Sequence, residues 1–456
     1  MTENNLLTLD QDPSSILAPS QLRGTVGNII DRKQLQRKFK LMQWQQTMSI
    51  SNSTLPGSAF TFTYMMELES NITAIRLLFG NTPTGIALTL TSAAVAPSST
   101  FPVGSSSVVS FVDPTGAFAW TPVTFDYTGA DNDIIRYNGT ARALTIPAGG
   151  TTNIETGSTI WWPFSWSDWV PTFTLPRTDG GTRPVICIRV CVPNTIFSQG
   201  STNNLGVGGP GLGLSTLYGR NFTVFTTAGD YATTQPVLGA GVSSPNFSGA
   251  LLGIQTISTV PGAQIIVTGD SRETGQNGNE TYTSAFHQAA LQLSTPTCPI
   301  AVWNSAWGAV SSVDYTPQAT QAINACPGSI VFIKTYSGNE AAAGTSLGAA
   351  ACFARGMMEA ERVVKAGGIP ILMTPAIGGT GIGGIPANLA QANNIRNLVL
   401  AQASTGYRVY DMCPDLFDNA GNYLPGLTTD LGHPNGAGIR AMQPRLMDLI
   451  KSVVGI

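Results

Sequence analysis

At 456 residues the chain is long enough for two to three domains and a sizeable core. Only 11% of its residues are charged, against roughly a quarter in an ordinary soluble domain, while 50 Gly and 29 Pro punctuate it, so its surface is mostly hydroxyl and amide. A net charge of −3, from 23 basic and 26 acidic side chains, excludes the clustered positive field that nucleic-acid binding needs.

Residues 1–45 read as a connector or docking segment. The opening MTENNLLTLDQDPSS has no apolar core of signal-peptide length, and no apolar run approaches the roughly 20 residues of a membrane helix, so neither a secretion signal nor a membrane partner is expected. Further on, IIDRKQLQRKFKLMQWQQ predicts a short helix. From 46 to 250 the texture becomes short alternating runs, such as AFTFTYMMELES, GIALTLTSA and RPVICIRVCVP, separated by Gly, Pro, Asn and Ser clusters. That pattern predicts a β-sandwich or jelly-roll-like domain, suited to binding or assembly. Within it WWPFSWSDW brings together Trp161, Trp162, Trp166 and Trp169. These rings suit either stacking on sugar or a core or subunit interface, and the second reading is preferred. SQGSTNNLGVGGPGLGLSTLYG lacks a following Lys-Ser/Thr and reads as a loop, not a phosphate cradle.

From 255 to 456 the period changes. The apolar runs AQIIVTG, IAVWNSA, SIVFIKTY, IPILMTP and YRVYDM alternate with helical patterns near 280–294, 317–325, 344–366, 386–404 and 436–452. Five βα units predict a parallel sheet covered by helices, a three-layer α/β domain whose site lies at the carboxyl ends of the strands. Six scattered cysteines and two histidines argue against a zinc site, and Cys187 and Cys191, four apart on one strand face, lie too far apart to bridge. The cysteines read as small buried apolar residues.

The strand ends carry the chemistry. Gly269-Asp270-Ser271 follows the first, Gly308 the second and Asn339 the third, and Asp430 and His433 come after the last, in TTDLGHPNGAG. Acyl transfer needs these parts: a hydroxyl nucleophile, an imidazole to take its proton, a carboxylate to orient the imidazole, and donors facing the developing oxyanion. His287, inside the helical run SAFHQAALQLS, reads as structural, which leaves His433 as the base. The glycine-rich AIGGTGIGG (376–384) borders the same rim as a lid or a plain flexible loop.

The order Gly-Asp-Ser, Gly, Asn, Asp-x-x-His-Pro-Asn resembles the SGNH (GDSL-type) hydrolase superfamily, over about 195 residues. The resemblance implies a flavodoxin-like hydrolase fold and no cofactor. It makes Ser271 the nucleophile and an oxyanion N–H donor, Gly308 and Asn339 further donors, His433 the base and Asp430 its partner. Two positions depart from the pattern. Ser337-Gly338-Asn339-Glu340 stands where the family usually has Gly-x-Asn-Asp, and Arg272 stands where an apolar residue is common. Arg272 then reads as a charge at the pocket mouth or as a solvated first-turn side chain.

Together these readings give a serine esterase that removes O-acetyl groups from a surface polysaccharide, its partner and substrate. The composition, without a visible signal, is similar to phage tail fibres and spikes that carry deacetylases. A virion or extracellular setting and a homo-oligomer, with trimeric symmetry preferred, are expected accordingly. The alternatives are a lipase or thioesterase of the same fold, or a structural or receptor-binding virion protein whose hydrolase domain is inactive.

Overall fold

Side chains that alternate between two faces organise the first half of the chain into two principal antiparallel sheets, beside three two-stranded ones. The computed structural model describes residues 39–45, 48–54, 59–80, 87–101, 111–112, 120–126, 139–146, 164–193, 196–200, 215–217, 220–230, 232, 237–238, 251–275, 284–306, 311–312, 315–339, 348–377 and 386–456. The principal strands of this half are β1 (Lys40–Gln45), β2 (Phe60–Glu67), β3 (Ile72–Gly80) and β4 (Ser92–Ser98). They are followed by β5 (Phe164–Trp166), β6 (Val185–Val192), β7 (Arg220–Ala228) and β8 (Leu251–Ser258). One sheet runs β1-β8-β3-β5, and the other contains β7-β2-β6-β4, all paired antiparallel.

Between these sheets Ile75, Leu77 and Phe79 of β3 meet Phe62 and Tyr64 of β2 and Ile186, Ile188 and Val190 of β6 in one apolar core. The opposite face of β3 is buried too, against the second half of the chain. Leu78 and Met42 join the core of that half. Arg76, 1% exposed, lays its guanidinium 4.1 Å from the Trp166 ring centre and 5.0 Å from that of Trp169. Its Nε donates to Gln255 Oε1 at 2.7 Å, and Gln255 Nε2 donates to the Ala325 carbonyl at 2.9 Å. Trp166 also meets Trp303 edge to face at 6.4 Å. Two members of the tryptophan cluster are therefore packed where the halves meet, while Trp161 and Trp162 lie outside the described residues.

The second half is a parallel sheet of β9 (Ala263–Val267), β10 (Ile300–Asn304), β11 (Ile330–Lys334), β12 (Ile369–Met373) and β13 (Arg408–Tyr410). Its order is β10-β9-β11-β12-β13. The helices are α1 (Ser271–Thr274), α2 (Ala285–Leu293), α3 (Tyr315–Ala325), α4 (Ala349–Lys365), α5 (Pro386–Ala401) and α6 (Gly436–Val454), apart from one further turn at Cys413–Leu416. Helices α2 and α6 pack together, and α4 packs on both α3 and α5. In this strand order the chain starts at β9, steps to β10, then reverses to β11, and a crevice opens where the direction changes. The segments leaving β9 and β11 flank that crevice. None of the six cysteines is in a disulfide, and Cys298 is the least covered of them.

Two boundaries differ from the sequence reading. Residues 40–45 form a strand, not part of a helix, because pairing with β8 on one edge and cover from β10 outweigh a local helical preference. Strand β8 pairs with β1 and β3, so the first half extends to residue 258 and a domain start at 255 would cut this strand. Residues 1–38 lie outside the described residues. Arg76→Ala removes a buried guanidinium and strands Gln255. It is expected to destabilise the chain by about 2–4 kcal/mol, read as a lower urea midpoint.

Candidate active site

The turn that holds Ser271 is built by three neighbours. A Cβ on Gly269 would collide with the Glu273 carboxylate, so only glycine fits there. Asp270 caps α1 by accepting the Arg272 N–H at 3.1 Å, and Glu273 accepts the Asp270 N–H at 3.1 Å. This reciprocal capping box fixes a one-turn helix that begins at Ser271.

Ser271 Oγ lies 2.8 Å from His433 Nε2, and His433 Nδ1 lies 2.7 Å from Asp430 Oδ2. With its proton on Nδ1, donated to the carboxylate, the imidazole turns an accepting Nε2 to the serine hydroxyl. Ser271 and His433, 162 positions apart, are joined here by the sheet order, while Asp430 and His433 are joined by a tight turn. Asp430 Oδ1 accepts the N–H groups of Gly432 and His433 at 2.9 and 2.8 Å. Leu431, between them, holds φ at +58°, the one non-glycine with positive φ among the described residues. Pro434 follows, and Asn435 caps α6 through the N–H groups of Ala437 and Gly438, which stops the histidine loop from swinging. Burial raises the Asp430 carboxyl pKa, but the His433 hydrogen bond and the two backbone N–H groups outweigh it, and the pKa falls from 3.8 to about 2.

Beneath Ser271 lies an ion cluster that the sequence alone did not reveal. Lys334, at the end of β11, has a fully buried side chain whose Nζ sits 2.6 Å from Glu273 Oε2 and 3.0 Å from Asp270 Oδ2. Asp270 Oδ2 also accepts Ser337 Oγ at 2.6 Å and Tyr315 OH at 3.2 Å. Burial would push the Asp270 carboxyl up, but Lys334, Arg272 and the Ser337 bond hold it well below the usual carboxylate range. A lysine closing an apolar strand, IVFIK, was the available signal.

Arg272 is half-buried and hydrogen-bonded, not a plain solvated side chain. Its Nε donates to the Gly432 carbonyl at 2.9 Å and its Nη1 to the Ala376 carbonyl at 3.4 Å, bridging the nucleophile's turn to the histidine loop. Tyr423 OH donates to the same Gly432 carbonyl at 3.1 Å. Asn339 is half-buried after β11, its backbone N–H donating to Ser337 Oγ at 3.1 Å. Gly308 lies outside the described residues, as does most of the glycine-rich 376–384 segment. His287 is buried on α2, with Nδ1 2.8 Å from Ser284 Oγ.

No family model matches the chain, and no curated protein matches it. Solved structures similar to part of the chain include a GDSL-like lipase from Bacteroides thetaiotaomicron VPI-5482, at 14% identity over 42% of this chain and 87% of that one, with a TM-score of 0.32. A lipase/acylhydrolase from Enterococcus faecalis matches at 16% identity over 42% and 97%, with a TM-score of 0.32. An acetyl xylan esterase from Geobacillus stearothermophilus matches at 18% identity over 41% and 94%, with a TM-score of 0.33.

The depressed Asp430 pKa makes a signed prediction. A carboxyl held below its ordinary value adds stability that is present above pH 4 or so and is lost as pH falls toward 2. The thermal midpoint of Asp430→Asn should therefore lie below that of the parent at neutral pH, and the gap should close between about pH 4 and pH 2. A gap that persists unchanged at pH 2 would assign the stabilisation elsewhere.

Proposed function

We propose that the chain is a serine carboxylic ester hydrolase that removes O-acetyl groups from carbohydrate. The observation that carries this reading is the unbroken relay Ser271–His433–Asp430, at 2.8 and 2.7 Å, on the carboxyl edge of a parallel sheet. Ser271 Oγ attacks the ester carbonyl carbon while its proton passes to His433 Nε2. The imidazolium so formed is stabilised by Asp430, which stays ionised. The carbonyl oxygen becomes an oxyanion, for which the resemblance assigns the Ser271 and Gly308 N–H groups and the Asn339 side chain. When the tetrahedral adduct collapses, the sugar hydroxyl leaves with the proton from His433. Water, deprotonated by the same histidine, then attacks the acyl-serine and releases acetate.

The substrate class rests on the composition of the surface and on what flanks the strand ends. A surface with few charges and many hydroxyls suits work on or beside polysaccharide, and no long apolar run flanks the strand ends to hold a fatty acyl chain. The same composition supports a setting on a virion, as a tail fibre or spike, or outside the cell. A trimer in which the first half binds polysaccharide or mediates assembly fits that setting.

The parent chain should hydrolyse p-nitrophenyl acetate and release acetate from an O-acetylated polysaccharide. Ser271→Ala and His433→Ala should each lose roughly 10⁴-fold or more of kcat, since groups that act as one unit fail together. Turnover of the small ester without acetate release from any acetylated polysaccharide would keep the esterase and remove the carbohydrate assignment. Parent-like turnover by Ser271→Ala would remove both.

A further inference from the structure

We infer that Ser337 is a positioning residue for the oxyanion site, tying the nucleophile's turn and Asn339 to one buried carboxylate. The inference rests on the esterase reading and deepens it. Ser337 follows β11 and is 0% exposed. Its hydroxyl donates to Asp270 Oδ2 at 2.6 Å and accepts the Asn339 backbone N–H at 3.1 Å. A hydroxyl has one proton and two lone pairs, so giving the proton to the carboxylate leaves a lone pair for the N–H, and both bonds hold at once.

Asp270 is the residue before Ser271, and its Oδ1 caps α1 through the Arg272 N–H. Its Oδ2 is gripped from within the protein by Lys334 at 3.0 Å and Tyr315 at 3.2 Å. A single fixed carboxylate thus anchors the turn that carries the nucleophile and, through one hydroxyl, the loop that carries Asn339. Oxyanion donors act by being held in place before charge develops, and their effect falls steeply with misplacement. By the resemblance, glycine would be usual at position 337. The hydroxyl here supplies a side-chain tether that a glycine cannot, in a loop whose sequence departs from the family pattern.

The test is a double-mutant cycle on the full chain, reading kcat and KM for p-nitrophenyl acetate in the parent, Ser337→Ala, Asn339→Ala and the double variant. Thermal melts check that each is folded, and Ser337→Gly replaces the alanine variant if that one fails to fold. Loss of a whole oxyanion donor at Asn339 should lower kcat by roughly 10²- to 10³-fold. Ser337→Ala should lower it by roughly 10- to 100-fold, with KM changed by less than about twofold. In the Asn339→Ala background the Ser337 change should move kcat by less than about twofold, because the group it positions is already gone. An unchanged kcat in Ser337→Ala, or the same loss in both backgrounds, overturns the positioning role while leaving the esterase reading intact. A parent chain without ester hydrolysis overturns the esterase reading, and this role with it.

Discussion

The site depends on a carboxylate taken out of water. Asp270 sits 2% exposed at the end of β9, and an unpaired carboxylate there would be prohibitively costly. The chain compensates it with an ammonium, two hydroxyls and a backbone N–H, and each of those partners belongs to a segment the site needs. Lys334 ends β11, Ser337 opens the Asn339 loop, Tyr315 opens α3, and the N–H lies in the nucleophile's own helix. Satisfying one buried charge therefore assembles four segments around the crevice. Removing one partner from such a cluster typically costs about 3–5 kcal/mol, because the remaining charges stay buried.

The second constraint is the two-faced sheet of β1, β8, β3 and β5. One face closes the sandwich core and the other closes the core behind β9 and β10, so both halves share side chains from the same strands. Arg76 and Gln255 make this junction polar, with Arg76 Nε bonded to Gln255 and the guanidinium lying on tryptophan faces instead of in water. The parallel sheet is thereby supported from the side of its edge strand β10, opposite the edge that ends in β13.

Much of this was legible in the sequence because it is local. Five apolar strands alternating with helical periods define the parallel sheet, and GDS and DLGHPN carry their own turn and cap chemistry in a few residues. What sequence could not show is what depends on distant partners. Lys334 looks like the polar end of a strand until β9 is placed beside β11. Arg272 looks solvated until the loop of Gly432 is brought over it. KLMQWQ reads as helical, and becomes a strand only because β8 offers an edge and β10 a cover. Trp166 and Trp169 offered a sugar platform or a core, and the partner that decides between them, Arg76, lies some ninety positions earlier.

In the proposed reading Ser271 is a nucleophile activated by His433. It is tested most directly by reacting the full chain with a serine-directed fluorophosphonate and mapping the adduct by peptide mass spectrometry. A single adduct is expected, on Ser271, formed rapidly in the parent and very slowly in His433→Ala. An adduct on another serine, or equal labelling of Ser271 with and without His433, would contradict it.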